Sequence, residues 1–222
     1  IVDSISCGFN VMVDAVAGSG KTTTVLYIAQ TLSAKKILLL TYNARLRLET
    51  RTKKERMGLN NLEVHTYHSY AFKCGRQHKI TCKNDKDLFN ILEKKISLIG
   101  GYDLIIIDEV QDMNPLYYEF TINTLSKNIQ LCILGDKYQS IYAFNRADSR
   151  FLEYADKLFN HVSPDRKWVN KTLSMSYRIT NQMAIFINIC ILKENRLRAC
   201  KDGTKPIYLK CDAFDETNNN KI

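Results

Sequence analysis

The sequence predicts an α/β fold, a doubly wound parallel sheet flanked by helices, on three observations. Short apolar runs occupy residues 11–13, 37–40, 62–64, 104–107 and 131–134, continuous rather than alternating except at 62–64, where Glu63 interrupts. Such runs read as strands buried on both faces. Helical patterns fall between them, at 22–32, 44–56, 86–98 and 115–125, which gives βαβ units. A glycine-rich turn, Ala15-Val16-Ala17-Gly18-Ser19-Gly20-Lys21-Thr22, joins the first run to the first helix, at the carboxyl edge where such sheets bind ligands.

Each element has a local reason. The run at 11–13 feeds the turn, and the helix at 22–32 opens directly behind it. The pattern at 44–56 carries a basic series, Arg45, Arg47, Arg51, Lys53, Lys54 and Arg56, with Glu49 and Glu55 placed to pair within it. The strand at 104–107 ends in Asp108-Glu109, and Asn114-Pro115 is a helix start for 115–125. The strand at 131–134 ends in Gly135-Asp136. Beyond about residue 160 the texture changes: Ser163-Pro164-Asp165-Arg166 is turn-like, followed by a short run at 168–173, a helical pattern at 181–192 and a run at 207–211. This divides the chain into a sheet domain over 1–160 and the start of a second, incomplete domain over 161–222. The polar, Asn-rich segment from Asp215 to Ile222 reads as mobile.

The bulk numbers narrow the class. With 222 residues, 45% hydrophobic and 25% charged, the composition is that of an ordinary globular chain. No apolar run is long enough to span a bilayer and no secretory signal opens the chain. It begins at Ile1 rather than Met, which suggests a trimmed start. Seven Cys, an odd number with no C-x-x-C pair, argue for a reducing intracellular compartment rather than a disulfide framework. His65, His68, Cys74 and Cys82 lie close in sequence but fit no zinc module. The net charge of +9 favours a polyanionic partner, most simply nucleic acid.

The chemistry concentrates in three segments. The turn is a phosphate-binding loop, with Ala15 where the strict pattern has glycine. Its backbone N–H groups and the helix N-terminus face a phosphate chain, Lys21 adds charge for the β- and γ-phosphates, and Thr22 offers a hydroxyl to Mg²⁺. Asp108 would hold Mg²⁺ through its water shell, and Glu109 would orient or deprotonate the hydrolytic water. Gln139, in Gly135-Asp136-Lys137-Tyr138-Gln139-Ser140-Ile141-Tyr142, can donate to a γ-phosphate oxygen and accept from water, which suits a γ-phosphate sensor.

In this order, with Asp108-Glu109-Val110-Gln111-Asp112, the segments resemble the UvrD/Rep group of superfamily 1 helicases. Thr41-Tyr42-Asn43 is similar to motif Ia, Thr66-Tyr67-His68-Ser69 to motif Ib, and Leu173-Ser174-Met175-Ser176-Tyr177-Arg178 to motif IV. The resemblance spans residues 15 to 178. Within the group, Leu40 to Asn43, His65 to Phe72 and Asp112 to Pro115 look most like the F-box DNA helicase branch, although no F-box is visible. The resemblance implies a RecA-like P-loop NTPase that uses ATP and Mg²⁺. Ala17, Gly18, Ser19, Gly20, Lys21, Thr22, Thr23 and Tyr177 would hold the nucleotide, Tyr177 by stacking near the adenine. Arg178 would be an arginine finger beside the catalytic Lys21, Asp108, Glu109 and Gln139. Tyr42, Tyr67, Tyr142 and Phe144 would stack on bases, with Asn43 and His68 on phosphate or a neighbouring loop. The activity implied is an ATP-dependent DNA helicase or translocase moving 3′ to 5′ on single-stranded DNA or a single-strand/double-strand junction, as a monomer with no membrane partner, in the nucleus or another DNA-replicating compartment.

The chain also departs from the group. The motif III arginine is displaced by one residue, to Arg146. About forty residues separate His68 from Asp108, which leaves a much reduced accessory insertion near 73–100. Motifs V and VI and the upstream adenine-recognising glutamine are absent, so the motor is incomplete and weak hydrolysis is expected. The alternative is a non-motor scaffold that binds ATP and single-stranded DNA. A small-molecule kinase shares the phosphate loop but explains neither Asp108-Glu109-Val110-Gln111-Asp112 nor Gln139-Ser140-Ile141-Tyr142.

Overall fold

The computed structural model describes residues 1–76, 83–93, 101–124, 128–140 and 147–207. The five apolar runs become β1 (Asn10–Ala15), β2 (Ile37–Thr41), β3 (Leu62–Thr66), β4 (Leu104–Asp108) and β5 (Gln130–Gly135), joined by β6 (Trp168–Leu173). All six pair in parallel, in the order β3-β2-β4-β5-β1-β6. Successive side chains point to opposite faces, and on the inner strands β1, β2, β4 and β5 both faces are covered, hence their continuous apolar runs. Leu38, Leu40, Ile105, Ile107, Leu131 and Ile133 enter one core, and Ile37, Leu39, Leu104, Ile106, Cys132 and Leu134 the other.

The flanking helices are α1 (Val2–Ser6), α2 (Lys21–Thr31), α3 (Ala44–Arg56), α4 (Tyr67–Arg76), α5 (Asp85–Glu93), α6 (Pro115–Thr124), α7 (Arg150–Glu153) and α8 (Ala155–Leu158). α1 and α2 cover one face; α4 to α8 cover the other. α6 starts as expected, with Pro115 first and the Asn114 side chain accepting from Tyr117 N at 2.9 Å. α4 is an addition to the sequence reading. The insertion near 73–100 is represented by the end of α4 and by α5, which buries Leu88 and Ile91 in the same core as Phe120; residues 77–82 and 94–100 lie outside the described residues. The basic series of α3 is partly spent on the sheet edge. Arg51 Nε donates to Val64 O at 2.9 Å and Lys54 Nζ donates to Leu62 O, covering carbonyls of the edge strand β3.

The expected domain boundary near residue 160 is corrected by β6. It pairs with β1 along its whole length, from Asn10 with Trp168 to Ala15 with Leu173, so the sheet runs through Leu173. An edge strand is only half-buried, so Trp168-Val169-Asn170-Lys171-Thr172-Leu173 lacks the apolar continuity of the inner strands. Beyond it, β7 (Met175–Ser176), α9 (Asn181–Phe186), a π-helical turn over Ile187–Leu192 and β8 (Arg198–Ala199) form a small unit. β7 pairs in parallel with β8, and Ala184 and Leu197 pack on Val16 of the phosphate loop. The run expected at 207–211 falls outside the described residues except for Ile207, which has no regular structure. Among the described residues no helix is long and apolar enough to cross a membrane.

Candidate nucleotide site

β5 lies between β1 and β4, so the loops leaving these three strands open side by side on the carboxyl edge. The loop after β1 turns through Gly18, whose φ of 71° is disfavoured for any residue with a Cβ. Gly20 caps α2 without a side-chain hydrogen bond, which leaves the first-turn N–H groups to an incoming acceptor. Lys21 is the first residue of α2. Its Nζ stands 3.3 Å from Glu109 Oε1, with both side chains largely buried.

Glu109 is held in an unusual place. Its backbone is left-handed, φ 55° and ψ 45°, which costs a non-glycine residue on the order of 1 kcal/mol. Three contacts hold it there. Asp108 Oδ1 accepts from Glu109 N at 2.9 Å, Gln111 Nε2 donates to Glu109 Oε2 at 2.8 Å, and Lys21 faces the other carboxylate oxygen. Gln111 is fixed in turn, its Oε1 accepting from Asp136 N at 3.0 Å. This buried glutamine links the end of β4 to the end of β5, a role that the sequence reading did not assign.

Burial, then the neighbouring Glu109 carboxylate, pushes Asp108 above the usual carboxylate range, against the pull of Lys21. The same causes push Asp112 up to about 7. Ser19 Oγ, Thr41 Oγ1 and Asp112 Oδ1 are buried without a hydrogen-bond partner among the described residues. Thr41 is in register with Asp108 across β2 and β4.

The segment beyond β6 folds back onto the phosphate loop. Tyr177 N donates to Gly18 O at 3.0 Å and Ser176 Oγ donates to Ala17 O at 2.7 Å. Together these elements enclose an open pocket of about 550 Å³, lined by Ala17, Gly18, Ser19, Gly20, Lys21, Thr22, Thr23, Glu109, Gln139, Tyr177 and Arg178. Leu46 and Lys53 of α3 also line it, two residues that the sequence reading placed only on a basic helix. Tyr177 is 64% exposed at the rim, an open ring face.

The expected base contacts fare differently. Tyr67 is 2% exposed and stacks on Tyr117, with ring centroids 4.7 Å apart and planes 1° from parallel, so it is a core residue and offers no face to a base. Asn43 is the N-cap of α3, its side chain accepting from Arg45 N and Leu46 N. His68 Nε2 lies 2.9 Å from Asp85 Oδ1, so its neighbour is the insertion. Tyr42 is half-buried, its ring centroid 5.9 Å from that of Tyr117. Tyr142 and Phe144, like Arg146, lie outside the described residues.

The chain is similar to known proteins over part of its length. F-box DNA helicase 1 of Gallus gallus is 35% identical over 72 residues, covering 32% of this chain and 6% of its own length. The RecBCD enzyme subunit RecB of Buchnera aphidicola subsp. Schizaphis graminum (strain Sg) is 38% identical over 93 residues, covering 37% of this chain and 8% of its own. The chain spans between 6% and 20% of the length of the first curated relatives it matches. Among solved structures, an arterivirus nonstructural protein 10 (helicase) in complex with DNA superposes with a TM-score of 0.53 at 11% identity, over 97% of this chain and 47% of that one, a likeness of fold. The AAA-domain family model AAA_19 matches residues 1–145. On that match the chain belongs to the AAA-domain family, and its parallel sheet with the phosphate loop at the carboxyl edge is the RecA-like fold.

Proposed function

We propose that this chain is the ATP-hydrolysing part of a DNA helicase motor that couples hydrolysis to 3′-to-5′ movement on single-stranded DNA or at a junction. One observation carries the reading. Lys21, Glu109, Gln139 and Arg178 line a single pocket, and Glu109 is held there in a strained conformation. A retired nucleotide-binding scaffold has no need of that strain. The relatives named as DNA helicases and the basic charge of +9 support DNA as the track.

The acidic end of the pocket fits Mg²⁺. Lys21 pairs with Glu109 and also draws on the charge of the nearby Asp108 and Asp112, three carboxylates that it cannot neutralise alone. Orphaned oxygens on Asp112 and Thr41, with the Thr22 hydroxyl, are the hard donors such an ion takes directly or through water. When bound, the ion would neutralise charge on the β- and γ-phosphates. The chain's own residues do the rest. The Gly18 to Thr23 backbone cradles phosphate. Lys21 exchanges its Glu109 partner for phosphate oxygens, which frees the Glu109 carboxylate to take a proton from the attacking water. Gln139 orients that water, Arg178 meets the developing charge, and Tyr177 covers the base.

The test is ATP hydrolysis by the protein at its natural length, with and without single-stranded DNA, beside Glu109→Gln. Hydrolysis stimulated by DNA, with kcat lowered about a hundredfold or more in the variant, supports the reading. Retained ATP and DNA binding without hydrolysis in the wild type would replace it with the scaffold.

A further inference from the structure

We propose that Arg196 is a positioning residue for the γ-phosphate side of the pocket, an inference that rests on the ATPase reading above. Arg196 lies outside every motif, on the turn between the π-helical turn and β8. Its side chain is 10% exposed, and Nη2 stands 2.5 Å from Asp14 Oδ1 and 2.9 Å from Asp136 Oδ1. The guanidinium lies over the Tyr138 ring, 5.0 Å from its centroid. Asp14 is the last residue but one of β1, just ahead of the phosphate loop, and Asp136 is the first residue after β5. One side chain from beyond the sheet therefore closes on the ends of two neighbouring strands that flank the pocket.

The residue type matters. Three carboxylates converge there, those of Asp14 and Asp136 and, at 3.9 Å from Arg196 Nε, that of Glu194; the Asp136 side chain is 3% exposed, so a cation must stay with them. A guanidinium can bridge Asp14 and Asp136 in one plane, whereas an ammonium is a single point of charge. The turn is set in advance. Asn188 Oδ1 accepts from Arg196 N at 3.2 Å and Leu197 N at 3.0 Å, and Asn188 Nδ2 donates to Leu197 O at 2.8 Å.

Asp136 is also the anchor of the sensor loop. Its carbonyl accepts from Gln139 N at 2.9 Å and its Oδ1 from Tyr138 N at 3.1 Å. Its N–H donates to Gln111, which holds Glu109, which faces Lys21. A continuous run of polar contacts thus leads from Arg196 to the lysine of the phosphate loop. Arg196 also belongs to the unit that carries Tyr177 and Arg178, since β7 pairs Met175 with Arg198. It sets the arginine-bearing segment and the Gln139 loop at a fixed separation.

The test compares Arg196→Met and Arg196→Lys by amide hydrogen exchange and ATPase kinetics on the natural-length protein. In Arg196→Met, exchange at Tyr138 and Gln139 is expected to quicken about tenfold or more while Val13 and Ile106 are unchanged. kcat is expected to fall about tenfold or more with KM for ATP within about threefold. Arg196→Lys, which keeps the charge and the fold, falls between wild type and Arg196→Met on both readouts. Unchanged exchange at Tyr138 and Gln139 in both variants overturns the proposal, as does an equal rise at Val13 and Ile106, which would mark a general loss of stability. Absent hydrolysis in the wild type would count against the ATPase reading alone, and the exchange data would still decide whether Arg196 holds the loop.

Discussion

Gln111→Leu isolates the link that holds Glu109 in place. Gln111 is 1% exposed, so leucine replaces a buried side chain of similar size and removes only the amide. Two bonds are lost. The Asp136 N–H, 3.0 Å from Gln111 Oε1, is left buried without an acceptor, at about 1–3 kcal/mol. The Glu109 carboxylate loses a donor at 2.8 Å; a bond to a charged group is worth about 1.5–3 kcal/mol, and the lower end applies because Glu109 keeps some contact with water. Added apolar burial returns about 1 kcal/mol, which leaves a net loss of about 1.5–3.5 kcal/mol. For a chain of this length that is a fall in melting temperature on the order of 3–14 °C. Freed from Gln111, Glu109 can leave its left-handed conformation, and kcat is expected to fall between about tenfold and a hundredfold. Calorimetry measures the first effect, and steady-state ATP hydrolysis well below the variant's transition measures the second. A transition within about 2 °C of wild type together with kcat within about twofold would refute the reasoning.

Two further outcomes follow from the geometry. Gly18 and Gly58 both have positive φ, 71° and 65°, but a Cβ at Gly18 would stand 2.6 Å from Arg178 Cβ while one at Gly58 meets nothing within 4 Å; urea unfolding should therefore show Gly18→Ala less stable than Gly58→Ala by about 2 kcal/mol, and equal losses would mean that the Tyr177-Arg178 segment does not rest on the loop. Burial alone would raise the Glu63 carboxyl, but hydrogen bonds from Lys73 and Tyr102 outweigh it and hold it at about 2. Its folded value lies below the unfolded one, so its contribution is complete above about pH 5 and is lost as pH falls through about 2. Glu63→Gln should cost about 1 kcal/mol at pH 7, small because Glu63 and Lys73 are part-exposed, and the gap should close near pH 2; a gap constant with pH would show that the pair contributes nothing.

The inner strands were legible because burial on both faces leaves little but aliphatic side chains, as in Ile105-Ile106-Ile107. β6 was read as a short run at 168–173 but not as part of this sheet, because a half-exposed edge strand lacks that signature. α4 could have been found: Tyr67, Tyr70, Ala71 and Cys74 are among its buried residues and recur at helical spacing. The pocket residues were legible because a phosphate loop, an acid pair and a sensor glutamine each follow a strand. Gln111 and Arg196 were not, because each acts through another residue. The bonds from Arg196 to Asp14 span 182 residues, and no local pattern in the sequence marks such a pairing.

Tyr67 shows why a motif position alone does not assign a base contact. A phenol ring suits a stacking platform and a hydrophobic core equally well, and only its surroundings decide. Here the ring is shut between the sheet and α6, and its face is taken by Tyr117. The two roles give opposite outcomes. For a core residue, Tyr67→Ala should cost about 3–5 kcal/mol of stability. Tyr67→Phe should keep both the fold and the affinity for single-stranded DNA, since the packed ring is retained. For a stacking platform, Tyr67→Ala would leave the unfolding transition near wild type and weaken DNA binding, by about 1–3 kcal/mol per lost base contact. Unfolding curves and DNA titrations on the two variants separate the cases. The buried, stacked ring favours the first, so any DNA contact at this end of the sheet must come from residues other than Tyr67, with the half-buried Tyr42 and the Asp85-paired His68 as its neighbours there.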